Sequence, residues 1–403
     1  MHAPFGRSSE DTASTTTVMR VMNERAVFER IRLLGPVSRP QLADATGLSK
    51  PTISLALVNL ERCGLVRHVG QRTGNSGRAA LLYEMRPEAG WVVGVDVGRS
   101  WLRVALANLA GEVVLRRQER SQSRDATKLV AQIGSVISAL AVEAGLSYED
   151  VTYTVIGSPG VVDERSGAMR LAANLSGWNG PGVLDALRER LGPSLAIEND
   201  INLAALGEQA HGLGKGVSHF VFVSVGTGIG MGIVIDGQLH RGARGAAGEI
   251  GFLPLGDADA SVEESGKRRR GSLESVASAD AVVANARRLG MRSVVSAKQV
   301  FESTHASEKA AQAVRVEAEH LARAVAAVTS VLDPELVVLG GGIGRNGDLL
   351  IAPMEKHLRK LLRMPPPPLM VSALGDDAVV LGALAIALVR AREKVFARAM
   401  ASG

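Results

Sequence analysis

The chain repeats one local pattern, and that repetition limits what it can fold into. Trp91–Val97 is an apolar run broken only by Asp96 and closed by Gly98, with a second apolar run at Trp101–Leu106. Roughly 130 residues later the pattern returns as Phe220–Val225, the turn Gly226-Thr227-Gly228-Ile229-Gly230, and Met231–Ile235. Two strand–glycine turn–strand units predict an internally duplicated α/β fold whose phosphate-sized loops face each other. A third cluster, Gly340-Gly341-Gly342-Ile343-Gly344, follows the strand Leu336–Leu339 and precedes a helix. A single glycine turn often only satisfies tight geometry. Three in this order point to a nucleotide-binding α/β fold or its descendant, with Asp96, Gly98, Gly226, Thr227 and Gly228 as the phosphate-loop positions. Strands are also expected at Glu112–Leu115 and Thr152–Ile156, and helices at Asp125–Ala144, Ala279–Leu289, Ser307–Leu332 and Ala378–Ala397.

Ahead of this region, Gly35–Leu65 reads as two short helices joined by a tight turn. Ser38 caps the first, Gln41 completes a capping box, Pro40 sits harmlessly in the first turn, and Gly47 ends the helix. Ser49 caps the second, where Ile53, Leu57 and Leu60 recur at helical spacing and face inward. That leaves Ser49, Lys50, Pro51, Thr52, Ser54 and Leu55 at an exposed leading end, the shape that enters a DNA major groove. From helix pattern alone an ordinary helical hairpin reads equally well. The following segment favours DNA. Gly64–Val69, a Gly- and Arg-rich loop from Gly70 to Arg78, and Ala80–Tyr83 form a β-hairpin with a basic tip. This is the wing of a winged helix, with Arg72 and Arg78 placed to reach phosphates or a minor groove. A helix at Met22–Leu34 completes the module, so residues 19–88 are expected as a winged helix-turn-helix and residues 1–18 as a disordered tail.

Charge agrees with that division. Residues 1–90 hold twelve Lys and Arg against eight Asp and Glu, so most of the net +5 lies in less than a quarter of the chain. A basic small module on a near-neutral large one suits double-stranded DNA as partner. The single cysteine, Cys63, excludes an internal disulfide and a cysteine-rich zinc site, which fits a reducing cytoplasm. The N-terminus lacks the apolar stretch of a signal peptide, and the longest apolar run, Val379–Val389, is shorter than the ~20 residues that cross a bilayer. No membrane partner is expected.

Polar clusters mark a small-molecule site. They are Gly157-Ser158-Pro159-Gly160, Asn174–Trp178, Glu198-Asn199-Asp200, and Glu249 within Gly245–Gly251. Amides and carboxylates at strand ends suit a polyhydroxyl ligand, whose hydroxyls both donate and accept. In a kinase, an Asp at the Asp200 position takes the proton of the attacking hydroxyl. Asn199-Asp200 reads equally as a helix N-cap.

At this point the chain resembles regulators of the ROK family (repressors, open reading frames and kinases), which includes the xylose and N-acetylglucosamine repressors. The similarity runs from about residue 20 to 390 and rests on GPVSRPQLADATGLSKPTIS, GSPGVVD (157–163), IENDINLAALGE (197–208), SVGTGIGMGIVIDGQLHRG (224–242) and AAGEIG (246–251). It implies an actin-like, ribonuclease H-like sugar-kinase fold over residues 89–403, duplicated into two lobes that bind ligand and dimerise. It also implies a sugar or sugar derivative contacted by residues matching Asn174, Asn199, Asp200, Glu249 and Glu274.

The departures are equally informative. The resemblance implies a histidine after AAGEIG and three zinc-binding cysteines, where this chain has Phe252, Ser265, Lys267 and Ser272. Those residues cannot replace imidazole and thiolate, so no metal is expected. Lys267–Arg270 reads as a solvated loop or as a contact for a phosphorylated ligand or DNA. The kinase Gly-Gly-Thr is replaced by Gly98-Arg99-Ser100 and followed by Trp101, crowding a turn that must approach phosphate closely. The expectation is therefore a repressor with no catalytic residues and no cofactor. It answers to a sugar or sugar phosphate, and acts as a homodimer or a dimer of dimers. The alternatives are a sugar kinase with an appended DNA-binding module and a regulator without a ligand.

Overall fold

The computed structural model describes residues 9–73, 79–162, 169–170, 175–178, 180, 182–255 and 271–401. Helix α1 (Ser9–Leu34) turns Val27, Phe28 and Ile31 inward, each no more than 1% exposed. It begins well before Met22 and takes in residues expected to be tail. Extending an existing helix adds one hydrogen bond per residue fixed.

Strand β1 (Val37–Ser38) leads into α2 (Arg39–Thr46) and α3 (Lys50–Arg62). The expected capping residues set their ends. The Gln41 side-chain oxygen accepts from Ser38 N (3.0 Å) and Ser38 Oγ (2.7 Å). Gly47 takes a left-handed φ of 71°, which L side chains resist, and its N–H closes on Ala43 O. Ser49 Oγ accepts from Thr52 N. Strands β2 (Val66–Thr73) and β3 (Ala79–Met85) form the wing, and β1 pairs with β3 to give the order β1-β3-β2. The winged helix expected from the sequence is present.

A short turn at Pro87–Ala89 leads into the first lobe. Strands β4 (Trp91–Val97), β5 (Trp101–Asn108) and β6 (Val113–Arg120) form an antiparallel meander. After α4 (Ala126–Glu143), β7 (Val151–Ser158) lies parallel to β4. A small hairpin, β8 (Val161–Val162) and β9 (Met169–Arg170), and α5 (Val183–Leu191) precede β10 (Leu195–Asn199), which is parallel to β7. Helix α6 (Asp200–His211) closes the lobe.

The second lobe repeats the plan. Strands β11 (Phe220–Val225), β12 (Ile229–Ile235) and β13 (Gln238–Leu239) form the meander. Helices α7 (Ser272–Ala277), α8 (Ala279–Arg288), α9 (Ala297–Glu302) and α10 (Glu308–Leu332) intervene before β14 (Leu336–Gly340), parallel to β11. Then come α11 (Gly341–Gly344), α12 (Gly347–Leu361), β15 (Leu369–Val371) and α13 (Ala378–Ala401). The sheet orders β6-β5-β4-β7-β10 and β13-β12-β11-β14-β15 are the same topology, so the duplication expected from the glycine turns is real.

Apolar faces fix the layers. Helix α4 is long and apolar enough to cross a membrane, yet its Leu129, Ile133, Ile137 and Leu140 pack on Val93, Val95 and Leu106. Helices α10 and α12 cover the second sheet around Val221, Val223 and Leu339. Helix α13 lies across β4 so closely that a Cβ at Gly94 would stand 2.8 Å from Val380 O. Its far end leaves the sheet and enters the core of the winged helix. Phe396 stacks on Phe28 with ring centroids 5.9 Å apart, and Cys63 Sγ donates to Ala399 O. Arg392 donates to Leu109 O at 3.1 and 2.8 Å, and burial, aided by Arg32, pushes its guanidinium down to about 10. One apolar cluster therefore runs unbroken from Val27 to Phe396, through both the N-terminal module and the first lobe.

Candidate functional site

The two lobes face each other across a cleft of about 980 Å³, placed where the strands of both sheets end. The loop after β4 supplies Gly98, Arg99, Ser100 and Trp101, and the loop after β11 supplies Gly226, Thr227 and Gly228. Both glycine loops expected from the sequence line the cleft, and each spends its first glycine N–H inside its own turn. Gly98 N–H is spent inside its own turn on Trp101 O (2.9 Å), and the Trp101 ring is covered by Arg120 at 4.1 Å. In the second loop Gly226 N donates to Gly228 O, and Gly226 O also accepts from Ala279 N at the start of α8.

Asp96 lies beside the cleft in a recess of about 140 Å³ that it shares with Asp200, Arg103, Arg345 and Asp376. It is 6% exposed and pairs with Arg103 Nη1 at 3.0 Å. Burial pushes its carboxyl up to about 7, with Arg103 opposing and Asp200 adding to the shift.

The β10–α6 junction carries Asn199 and Asp200. Asn199 is a full N-cap: its Oδ1 accepts from Ile201 N (2.9 Å) and Asn202 N (3.1 Å), while its Nδ2 donates to Gly160 O (3.0 Å). The N-cap reading of this residue holds, and Asn199 also lines the cleft. Asp200, half-buried, is pushed up to about 6 by burial, with the charge of Glu249 contributing. Glu198 fixes the turn by accepting from Asn202 Nδ2 (2.9 Å) and Arg241 Nε (2.7 Å). Glu249 precedes the turn Ile250–Phe252, and Glu274 lies on α7; both reach the cleft. Burial, then the Glu274 charge, raises the Glu249 carboxyl. Phe252 opens onto the same space with 55% of its surface exposed. A phenyl ring has no lone pair to give a metal, so this position does not fit the zinc site that the resemblance implies.

In the winged helix, α3 presents its leading turn. Ser49, Lys50 and Pro51 are exposed, Thr52 and Ser54 half-buried, and Leu55 is 58% exposed. Arg72 belongs to β2 opposite Ala80. The Arg72 side chain, Arg78, Asn174, Ser265, Lys267 and the rest of the run to Arg270 lie outside the described residues.

Sequence reading missed Arg103, Arg345, Asp376 and the exposure of Phe252. Only Arg103 left a usable sign, since a tight β4–β5 turn puts residue 103 opposite residue 96.

The model of the ROK family matches residues 92–390. A xylose repressor of Caldicellulosiruptor bescii is 28% identical over 389 residues, covering 92% of this chain and 96% of that protein. A glucokinase of Thermotoga maritima is 32% identical over 319 residues, covering 73% of this chain and 96% of its own. The solved structure of a ROK family transcriptional regulator, a homologue of the E. coli MLC protein, superposes with a TM-score of 0.75 at 22% identity. It covers 96% of this chain and 100% of its own.

Proposed function

The chain belongs to the ROK family, and we propose that it represses carbohydrate-metabolism genes, releasing operator DNA when a sugar or sugar derivative fills the cleft. The observation that carries this reading is α13. It starts at Ala378, which lines the recess beside the cleft together with Asp376, and near its far end Phe396 stacks on Phe28 of the winged helix. A rigid rod between a ligand cleft and a DNA-binding module converts a change in lobe closure into a change in module position. Resemblance to named repressors over 92% of the chain supports the same reading.

In this reading the protein is a cytoplasmic homodimer, or a dimer of dimers. It sets two α3 helices in successive major grooves, ~34–36 Å apart. Lys50, Thr52 and Ser54 meet the DNA, with Arg72 and Arg78 of the wing on phosphates or in a minor groove. Asn174, Asn199, Asp200, Glu249 and Glu274 hold the effector.

The cleft binds its sugar without phosphorylating it. Asp96, which a phosphoryl-transfer enzyme would direct at a metal, is neutralised by Arg103. The rival reading, a kinase that also binds DNA, draws on Asp200 and on the loop Gly226–Gly228, both of which line the cleft.

The test is a footprint of the full chain on upstream DNA with and without a panel of sugars, alongside ATP turnover on the same panel. Protection that one sugar relieves, without turnover, is the expected result. Operator DNA should weaken that sugar's binding by the same factor. Turnover at useful speed, or no protected DNA, overturns the reading.

A further inference from the structure

The outward face of α3 is apolar where a helix that merely faced water would be polar. Ile53, Ala56, Leu57 and Leu60 are buried and fix which side turns in. Opposite them Pro51, Leu55 and Val58 recur at helical spacing beside half-buried Ser54, and Leu55 and Val58 are 58% and 56% exposed. Charge is confined to the ends of the helix, with Lys50 at its start and Glu61 and Arg62 at its close. From Pro51 to Val58 there is no Arg, Lys, Asn, Gln, Asp or Glu, the side chains that pair most specifically with base edges. The next amide, Asn59, is half-buried and donates to Glu24 Oε1 at 2.7 Å. Glu61 Oε1 lies 3.1 Å from His68 Nδ1.

Such a face has little to offer a major groove through hydrogen bonds. What an aliphatic side chain distinguishes there is the 5-methyl group of thymine, the apolar feature among the base edges. Leu55 and Val58 stand about 4.5 Å apart along the helix axis, and base pairs rise by roughly 3.4 Å, so the two side chains suit neighbouring pairs. Seating a methyl against them removes apolar surface from water on both sides. The basic balance of residues 1–90 attracts a duplex and repels a second copy of the module, so DNA is the occupant that fits.

We propose that α3 recognises its operator half-site through thymine methyl groups, with Leu55 and Val58 as the specificity-determining residues. This rests on the reading that the module binds DNA, and it names the base chemistry read there.

The test starts from duplexes that the full chain enriches from a random library. Each thymine of the enriched sequence is then replaced by deoxyuridine, which keeps the base pairing and lacks the methyl, and affinity is read by fluorescence anisotropy. Loss of the methyl should weaken binding about fourfold at one or two positions of each half-site and leave other thymines silent. Leu55→Ala should bind thymine and uracil duplexes alike at one such position, and Val58→Ala at its neighbour. Both side chains are exposed, so the variants should keep the fold, which melting curves check. An enriched sequence in which no methyl matters, or variants that discriminate as the wild type does, overturns the proposal and leaves sequence-specific binding intact. Variants that alter the oligomeric state while the methyl effect persists assign this face to a contact between copies and overturn it as well. If no sequence is enriched, the DNA-binding reading falls and this one with it. The uracil comparison on the wild-type chain needs no variant, so misfolding cannot obscure it.

Discussion

Arg103 Nη1 stands 3.0 Å from Asp96 Oδ2, and the two residues face each other across the β4–β5 ladder. The same guanidinium reaches Asp376 Oδ2 at 3.2 Å, and Arg345 holds the other Asp376 oxygen at 2.6 Å. Alternating charges thus run from the first sheet, past the start of α13, to the loop after α11 in the second lobe. In phosphoryl transfer a carboxylate in such a place holds the metal. Here it holds the chain's own arginine.

Removing that arginine should be expensive. Arg103→Ala leaves Asp96 buried without its partner, and loss of one member of a buried pair costs about 3 kcal/mol. Denaturant unfolding should register the drop. Adding Asp96→Asn to the same chain should recover part of it, because the orphaned charge is gone. Equal stability of the single and double variants would contradict the pairing.

Stability should fall as pH rises from mildly acidic toward neutral. Asp96 is raised to about 7 and Asp200 to about 6, so the folded chain keeps protons that the unfolded chain has released. Between about pH 4 and pH 7 the folded state therefore binds more protons, and each step upward in pH costs stability. Asp200→Asn removes its share. Melting temperatures of that variant should change less across the window than those of the wild type, and equal slopes would exclude Asp200 as a contributor.

The leading turn of α3 separates two roles by salt dependence. Lys50→Ala should weaken operator and unrelated DNA alike and reduce the slope of log affinity against log salt by about one. Ser49→Ala should instead cost about 1 kcal/mol of folding stability through loss of the cap on Thr52 N. Fluorescence anisotropy at several salt concentrations, with melting curves beside it, distinguishes them.

Phe396→Ala should loosen the joint between rod and module. Phe396 is 5% exposed, and truncating a buried phenylalanine costs about 3 kcal/mol. Calorimetric melting should then split, with the N-terminal module unfolding first. Sugar should also lose its grip on operator affinity, whereas a variant of unchanged coupling would show that the signal travels elsewhere.

Much of this architecture was legible in the residues. Capped helices announced themselves at Ser38, Gly47 and Ser49 because caps act locally, within four positions. The duplicated lobes showed because β4 and β11 end in glycine loops that tolerate few alternatives. Strand β6 runs to Arg120, past the Leu115 that the apolar pattern marks as its end, because the charges of Arg116–Arg120 hide an alternation in which only one face is half-buried. Helix α1 begins before the Met22 that the apolar pattern marks, because its early residues carry no apolar period. The deeper omission concerned pairs distant in sequence. Nothing near Phe28 signals Phe396, and nothing near Arg103 signals Asp376, for such contacts arise only from tertiary packing. At the cleft, Asn199, Asp200 and Glu249 are legible as polar groups in apolar surroundings, whereas Glu274 is expected only from the family resemblance; all four line the cleft. Phe252 was noticed as a replacement, but its exposure is a matter of the turn that carries it.

The stacked rings of Phe28 and Phe396 also fix an order of events during synthesis. They lie 368 positions apart, so a ribosome needs roughly 20 to 70 seconds to travel from one to the other. The N-terminal module leaves the exit tunnel early, with its governing helix still unmade. A nascent chain therefore carries an unbridled module, and restraint arrives only with the closing turns of α13.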